Sequence, residues 1–139
     1  MPAAEIVLVD TGPLVAVFDP SDRDHEACQA ELGTLGRSRL VTTLPVLTEA
    51  SYLLAFSAEA QRSAIEFVGA GAIEVPDLEA GDLARAAALM KKYEDLPMDF
   101  ADATLVVLAE RLRTPWIFTL DRDFSVYRIG RKAFHILPE

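Results

Sequence analysis

Cysteine, histidine and tryptophan are nearly missing: the 139 residues hold one Cys, two His and one Trp. A lone Cys28 excludes an intramolecular disulfide and a Cys-based zinc site, and it points to the cytoplasm as the working compartment. Long apolar runs are missing as well. No uncharged stretch approaches the ~18 residues that a membrane span requires. The opening MPAAEIVLVD has no basic n-region, so neither a membrane span nor a signal peptide is expected. Positive charge is scarce, with 13 Lys and Arg against 22 Asp and Glu, a net −9 that excludes simple attraction of nucleic acid to the molecule as a whole. That average conceals a gradient. Up to Glu110 there are 7 basic residues against 19 acidic, a net −12, whereas beyond it there are 6 against 3, a net +3. Basic charge gathers at the C-terminal end.

What is present is the composition of a folded chain. Half of the residues are apolar (51%) and a quarter are charged (25%), unlike a disordered segment, and the length suits one domain over residues 1–139. Short apolar runs rich in β-branched residues at 6–9, 40–43, 73–75, 116–120 and 134–137 read as buried strands. Between them apolar residues recur at helical spacing, as at Cys28, Leu32 and Leu35 and again at Leu83, Ala87 and Met90. Pro45 suits the first turn of a helix over PVLTEASYLLAF and Ser57 can cap the next. Pro97 and Pro115 bracket a further helix from Asp99 to about Arg111. Strands alternating with helices predict an α/β fold, a three-layer α/β/α sandwich around a mostly parallel sheet of about five strands. There is no internal repeat, low-complexity tract or linker.

In such a sheet the ligand crevice lies beyond the carboxyl ends of the strands, and acidic residues gather there. Asp10 ends the first strand, and Glu49 lies about one turn into the helix after the second. Asp99 and Asp102 open a later helix, and Asp121 and Asp123 follow the strand WIFTL. Asp99 and Asp102, spaced i, i+3, project from one helical face. Crowded carboxylates are driven towards protonation unless a cation neutralises them, and hard oxygen ligands suit Mg²⁺ or Mn²⁺. A pair of such ions ~3.5–4 Å apart can activate water and clamp a phosphodiester. Acids at helix N-termini also cap and complement the dipole, which accounts for Asp99 and Asp102 without any function. It accounts less well for Glu49, set in an otherwise apolar helix.

Four segments in order, VDTGPLVA at 9–16, PVLTEA at 45–50, PMDFADATLVVLAE at 97–110 and TLDRDF at 119–124, resemble the PIN-domain ribonucleases, especially the VapC-type toxins of bacterial toxin–antitoxin pairs. The resemblance runs over nearly the entire chain. It implies that Asp10, Glu49, Asp102 and Asp121 are the family's four acidic positions, binding one or two Mg²⁺ or Mn²⁺ ions and carrying catalysis. Asp99 and Asp123 stand where relatives often carry a further acid, and they could ligate the metal, act through water or cap a turn. Thr11 and Thr119 adjoin these acids, where a hydroxyl could orient a carboxylate or a metal-bound water. For Thr11 that role and a turn-capping role stand level, while Thr119, at a strand end, reads as structural. His25 at a helix start reads as a packing residue and Cys28 as a buried thiol.

Arg122, Arg128, Arg131 and Lys132 follow the last acidic motif and could hold RNA phosphates. Tyr127 is placed to stack on a base, and Trp116 opens a predicted core strand and is expected inside. The helix PVLTEASYLLAF carries more apolar residues than a one-sided helix needs, so it is either sandwiched inside the monomer or covered by a partner. The resemblance implies a cognate antitoxin and a homodimer. The expected function is thus a metal-dependent endoribonuclease acting on structured RNA, tRNA or rRNA, as the toxin of such a pair. The alternatives are a processing nuclease of the same fold without an antitoxin, or a non-catalytic RNA- or protein-binding module. A phospho-acceptor receiver domain fits poorly, because Asp10 stands alone and no lysine occurs between Lys92 and Lys132.

Overall fold

A computed structural model gives the structure of residues 5–139; residues 1–4, on which part of the signal-peptide reading rests, lie outside them. The strands are β1 (Ile6–Val9), β2 (Arg39–Val41), β3 (Trp116–Phe118), β4 (Arg128–Ile129), β5 (Lys132–Ala133) and β6 (His135–Leu137). The helices are α1 (Thr11–Phe18), α2 (His25–Thr34), α3 (Leu44–Leu53), α4 (Ala58–Gly69), α5 (Ala80–Lys92) and α6 (Phe100–Leu112). A four-stranded sheet runs β2-β1-β3-β6 with every pairing parallel, and β4 and β5 form a small antiparallel hairpin apart from it.

Alternation along the strands fills two cores. Val7 and Val9 join Leu14, Cys28, Ala50 and Phe118 on one side of the sheet, while Leu8 joins Val41, Ile117 and the α6 residues on the other. Helices therefore cover both faces, as a parallel sheet requires. α6 is the central helix of its layer, with Ala103 to Ala109 buried without interruption. Arg113, in the left-handed conformation at φ 53°, ends it before Pro115.

All five expected strand segments reach the sheet, but 73–75 contributes only a single parallel bridge, Val41 to Glu74. The Glu74 amide and carbonyl bond to Leu40 O (2.8 Å) and Thr42 N (2.9 Å), and two residues later Pro76 has no N–H to continue a ladder. The strand expected over 116–120 stops at Phe118, with the Thr119 amide still donating to the Leu137 carbonyl (3.1 Å) and its side chain bonded to Asp10. Trp116 is half-buried rather than enclosed, its ring 3.9 Å from that of His135. Cys28 is buried as expected, its thiol pushed up to about 11 by burial and by the neighbouring carboxylates of Asp24, Asp22 and Glu31. His25 ties α2 to α1 through Nδ1 and the Ala16 carbonyl (2.7 Å). Among the described residues no helix is long and apolar enough to cross a membrane.

Candidate metal centre

The acidic motifs arrive at one edge by different routes, Asp10 and Asp121 from strand ends, Asp99 and Asp102 from the start of α6, and Glu49 from within α3. Asp10 follows β1 and caps α1, accepting from the Thr11 amide at 2.7 Å. Asp99 caps α6 and accepts from the Asp102 amide (2.8 Å), while Asp102 accepts from the Asp99 amide (3.3 Å), a reciprocal capping box. Asp121 follows β3 and accepts from the Asp123 amide at 2.9 Å. Glu49 reaches the same place from α3, whose first turn is capped by Thr43 and contains Pro45.

A cleft of about 360 Å³ beyond the ends of β1 and β3 collects six acids: Asp10, Asp22, Glu49, Asp99, Asp102 and Asp121. Carboxylate oxygens of Asp10, Asp102 and Asp121 lie within 4.8 Å of one another. That spacing is close to the separation of ligands around one hard cation, whose metal–oxygen distances are ~2.1 Å for Mg²⁺. The three therefore form a group able to bind a metal, with Glu49 and Asp99 on the same cleft.

Charge and burial both load this group. Asp10, 5% exposed, is pushed up from 3.8 to about 6, chiefly by burial, with the charges of Asp121 and Glu49 adding to it and hydrogen bonds from Thr119 and Thr11 opposing it. Asp102 is raised well above the carboxylate range, first by burial and then by the charges of Asp99 and Asp10. Glu49 is raised by burial and by Asp99. Carboxylates held in this state gain from a divalent cation that replaces their protons.

The donor set fits such a cation. All its members are hard oxygens, and the buried Thr11 hydroxyl faces Glu49, whose pKa it lowers, but makes no hydrogen bond within 3.5 Å among the described residues. A buried hydroxyl without a partner is costly, and a cation-bound water would satisfy it. Thr119 has a direct role at the cluster rather than a purely structural one: its hydroxyl donates to Asp10 Oδ2 (2.6 Å) and accepts from the Asp121 amide (2.9 Å).

Three residues at the edge escaped the motif reading. Asp22, in the loop before α2, accepts from the Asp24 amide (2.8 Å) and also lines the cleft. Leu53 of α3 forms an apolar wall there. Tyr127 is fully buried, not available to a base, and its hydroxyl lies 3.5 Å from Asp102 Oδ2. Asp123, in contrast, does not line the cleft and contributes its amide to Asp121. The basic residues separate. Arg122 is exposed beside the acidic edge, Arg131 and Lys132 lie at the β4–β5 hairpin, and Arg128 donates from Nη1 to the carbonyls of Ser125, Val126 and Tyr127.

A parallel α/β sheet carries at its carboxyl edge a cluster of hard-oxygen acids able to bind a metal, and the chain matches the PIN domain over residues 7–130. It belongs to the PIN domain family. Among curated proteins it is 36% identical over 136 residues to Ribonuclease VapC26 of Mycobacterium tuberculosis, covering 95% of this chain and all of that protein. The crystal structure of M. tuberculosis VapC20, described as a Sarcin-Ricin loop cleaving toxin, shares the fold with a TM-score of 0.78 at 21% identity, over 86% of this chain and 93% of that one. VapBC2 of Rickettsia felis, solved with a DNA fragment from its promoter, gives 0.67 at 18% identity, over 94% and 98% of the two chains. A toxin–antitoxin complex from Klebsiella pneumoniae gives 0.60 at 21% identity, over 86% and 90%.

Proposed function

We propose that the protein is a metal-dependent endoribonuclease that hydrolyses phosphodiester bonds of structured RNA, tRNA or rRNA, in the cytoplasm, as the toxin of a toxin–antitoxin pair. The observation that carries this reading is the convergence of Asp10, Asp102 and Asp121 within 4.8 Å in a chain related over its length to a ribonuclease. Asp10, Asp102 and Asp121, with Glu49 and Asp99 across the cleft, would hold one or two Mg²⁺ or Mn²⁺ ions; Asp123 would act only through Asp121. When bound, such ions lower the pKa of a water and neutralise charge on the phosphate.

The protein's own part is to fix the ligands before substrate arrives. Thr119 and the Thr11 amide occupy the two oxygens of Asp10, so that carboxylate has one orientation. The capping box holds Asp102 against Asp99, and Tyr127 closes the cleft behind it. Arg122, Arg131 and Lys132 would receive phosphates of the incoming strand, with Arg128 shaping the loop between them.

Protein partners would use α3. Leu44, Tyr52 and Leu53 of α3 and Phe56 in the turn after it are exposed at 62%, 78%, 48% and 66%, far beyond what a helix packed on both sides shows. Leu53 also lines the acidic cleft, so an antitoxin segment covering this face would lie over the catalytic edge, and a second copy of the chain could use the remainder.

Cleavage of folded tRNA and rRNA fragments with Mg²⁺ or Mn²⁺, with EDTA and with Asp102→Asn tests the reading. Discrete cuts that vanish with chelator and variant support it. Cuts that persist in Asp102→Asn, or no cuts despite folded, metal-binding protein, overturn it.

A further inference from the structure

The acidic cleft has a neighbour. Sheet order sets β1, β3 and β6 side by side, and a second cleft of about 440 Å³ lies beyond β3 and β6, bounded by Thr119, Ile136 and Pro138 and by the guanidiniums of Arg23 and Arg122. Leu120 and Asp121 line both clefts, so the two are in series along the sheet edge with one side chain, the 39% exposed Leu120, forming the ridge between them.

We propose that this second cleft seats the nucleotide adjoining the scissile phosphate, with Arg23 and Arg122 as its phosphate clamp and Leu120 as the ridge over which the strand turns. The proposal rests on the nuclease reading and deepens it. An acidic cleft alone repels a polyanion, so cations must stand within a nucleotide or so of it. Four of the ten arginines are held elsewhere, and among the described residues only Arg23 and Arg122 of the arginines line either cleft. Arg39 and Arg85 make paired bonds to Glu74 and Glu110, Arg111 is bonded to Asp82 and the Asp77 carbonyl, and Arg128 is held by three carbonyls. Arg122 meets no carboxylate among the described residues, and Arg23, with a side chain 93% exposed, has only a 3.5 Å pairing with Asp24. Three acids, Asp24, Asp121 and Glu139, outnumber the two arginines of the second cleft, but each has another partner, which leaves Arg122 free and makes the clamp depend on a cation bound at Asp121. Glu139 lies 2.8 Å from His135 Nε2, Asp24 faces Arg23, and Asp121 belongs to the metal group. Arg23 reaches this place from the loop between α1 and α2 and Arg122 from the turn after β3, so the two enter from different segments.

Anisotropy of a short fluorescein-labelled single-stranded RNA on Asp102→Asn protein tests the clamp without cleavage. Adding Arg23→Ala or Arg122→Ala should weaken binding about tenfold at low salt and lower the slope of log affinity against log salt by about 0.7 for each lost phosphate contact. Arg62→Ala on α4, away from both clefts, should change neither, and Arg23→Lys should recover much of the slope. Affinity and slope unchanged in Arg23→Ala, while the native protein still cuts tRNA, overturn the clamp and leave the nuclease reading intact. Loss of binding in Arg23→Ala, with a native protein that cuts nothing, overturns the nuclease reading and with it the seat beside a scissile phosphate, leaving Arg23 as an RNA contact only. No binding of the RNA by any variant overturns the clamp.

Discussion

The Thr119 hydroxyl donates to Asp10 Oδ2 at 2.6 Å, joining residues 109 apart in the chain at the ends of the adjacent strands β1 and β3. The Thr119 Oγ1 also accepts from the Asp121 amide, so one hydroxyl sets the spacing of two of the three clustered carboxylates.

Thr119→Val should therefore separate function from fold. It leaves a buried carboxylate oxygen and an amide without their partner, costing about 1–3 kcal/mol of stability, and it should lower metal affinity about 10–100-fold. Thr119→Ser should recover both. Calorimetric Mn²⁺ titration and thermal melts read the two effects; metal affinity unchanged in the valine variant would refute the assignment.

Asp102→Asn should abolish cleavage and raise, not lower, the melting temperature of metal-free protein at neutral pH. The substitution removes a charge that burial and the Asp99 and Asp10 carboxylates disfavour, while an amide oxygen can still accept from the Asp99 amide. A melting temperature that falls by several degrees would show that the charge stabilises the fold.

Stability of the metal-free protein should fall as pH rises. Asp10 has a folded-state pKa raised from 3.8 to about 6, so its contribution is complete below pH 3.8 and is lost as pH climbs through 6, a change of about 3 kcal/mol. Asp102 and Glu49 shift in the same direction and add to it. Mg²⁺ or Mn²⁺ should flatten this dependence by replacing protons, and denaturant midpoints from pH 4 to 8 with and without metal would display both behaviours. Stability that rises over that range without metal would contradict the burial of these groups.

Tyr52→Glu and Leu53→Glu should weaken association with a protein partner at least about tenfold, because each places a charge on an exposed apolar face. Monomer stability should change by less than about 0.5 kcal/mol at the 78% exposed Tyr52. Sedimentation and co-purification with an antitoxin measure the association. Full retention of the antitoxin complex, and of any self-association of the unaltered chain, in the double variant would move the interface elsewhere.

Local pattern carried most of the fold. The β-branched runs and the Pro and Ser caps mark β1, β2, β3 and the starts of α3, α4 and α6 because each is governed by neighbours within a few residues. The acids of the cleft were legible for a related reason, since strand ends and helix N-caps fix where a side chain sits. What the sequence hid depends on distant partners. The 73–75 segment is limited to one bridge by Pro76, Asp22 enters the cleft from a loop, and Asp123 turns away although it lies only two residues from Asp121. Tyr127 is drawn inside by rings of Tyr93 and Phe124 at 5.0 Å each, a packing that no spacing rule near Tyr127 announces.

Asp99 and Asp102 sit at the first turn of α6, whose following turns are buried on every side. Amides of such a helix exchange with solvent only when the whole domain opens, so these carboxylates belong to its slowest-opening unit. Asp10, Asp121 and Asp22 reach the same edge from a strand end, a turn and a loop, so only the α6 half of it is tied to opening of the whole domain. Hydrogen-exchange rates in α6 would report how long that half survives.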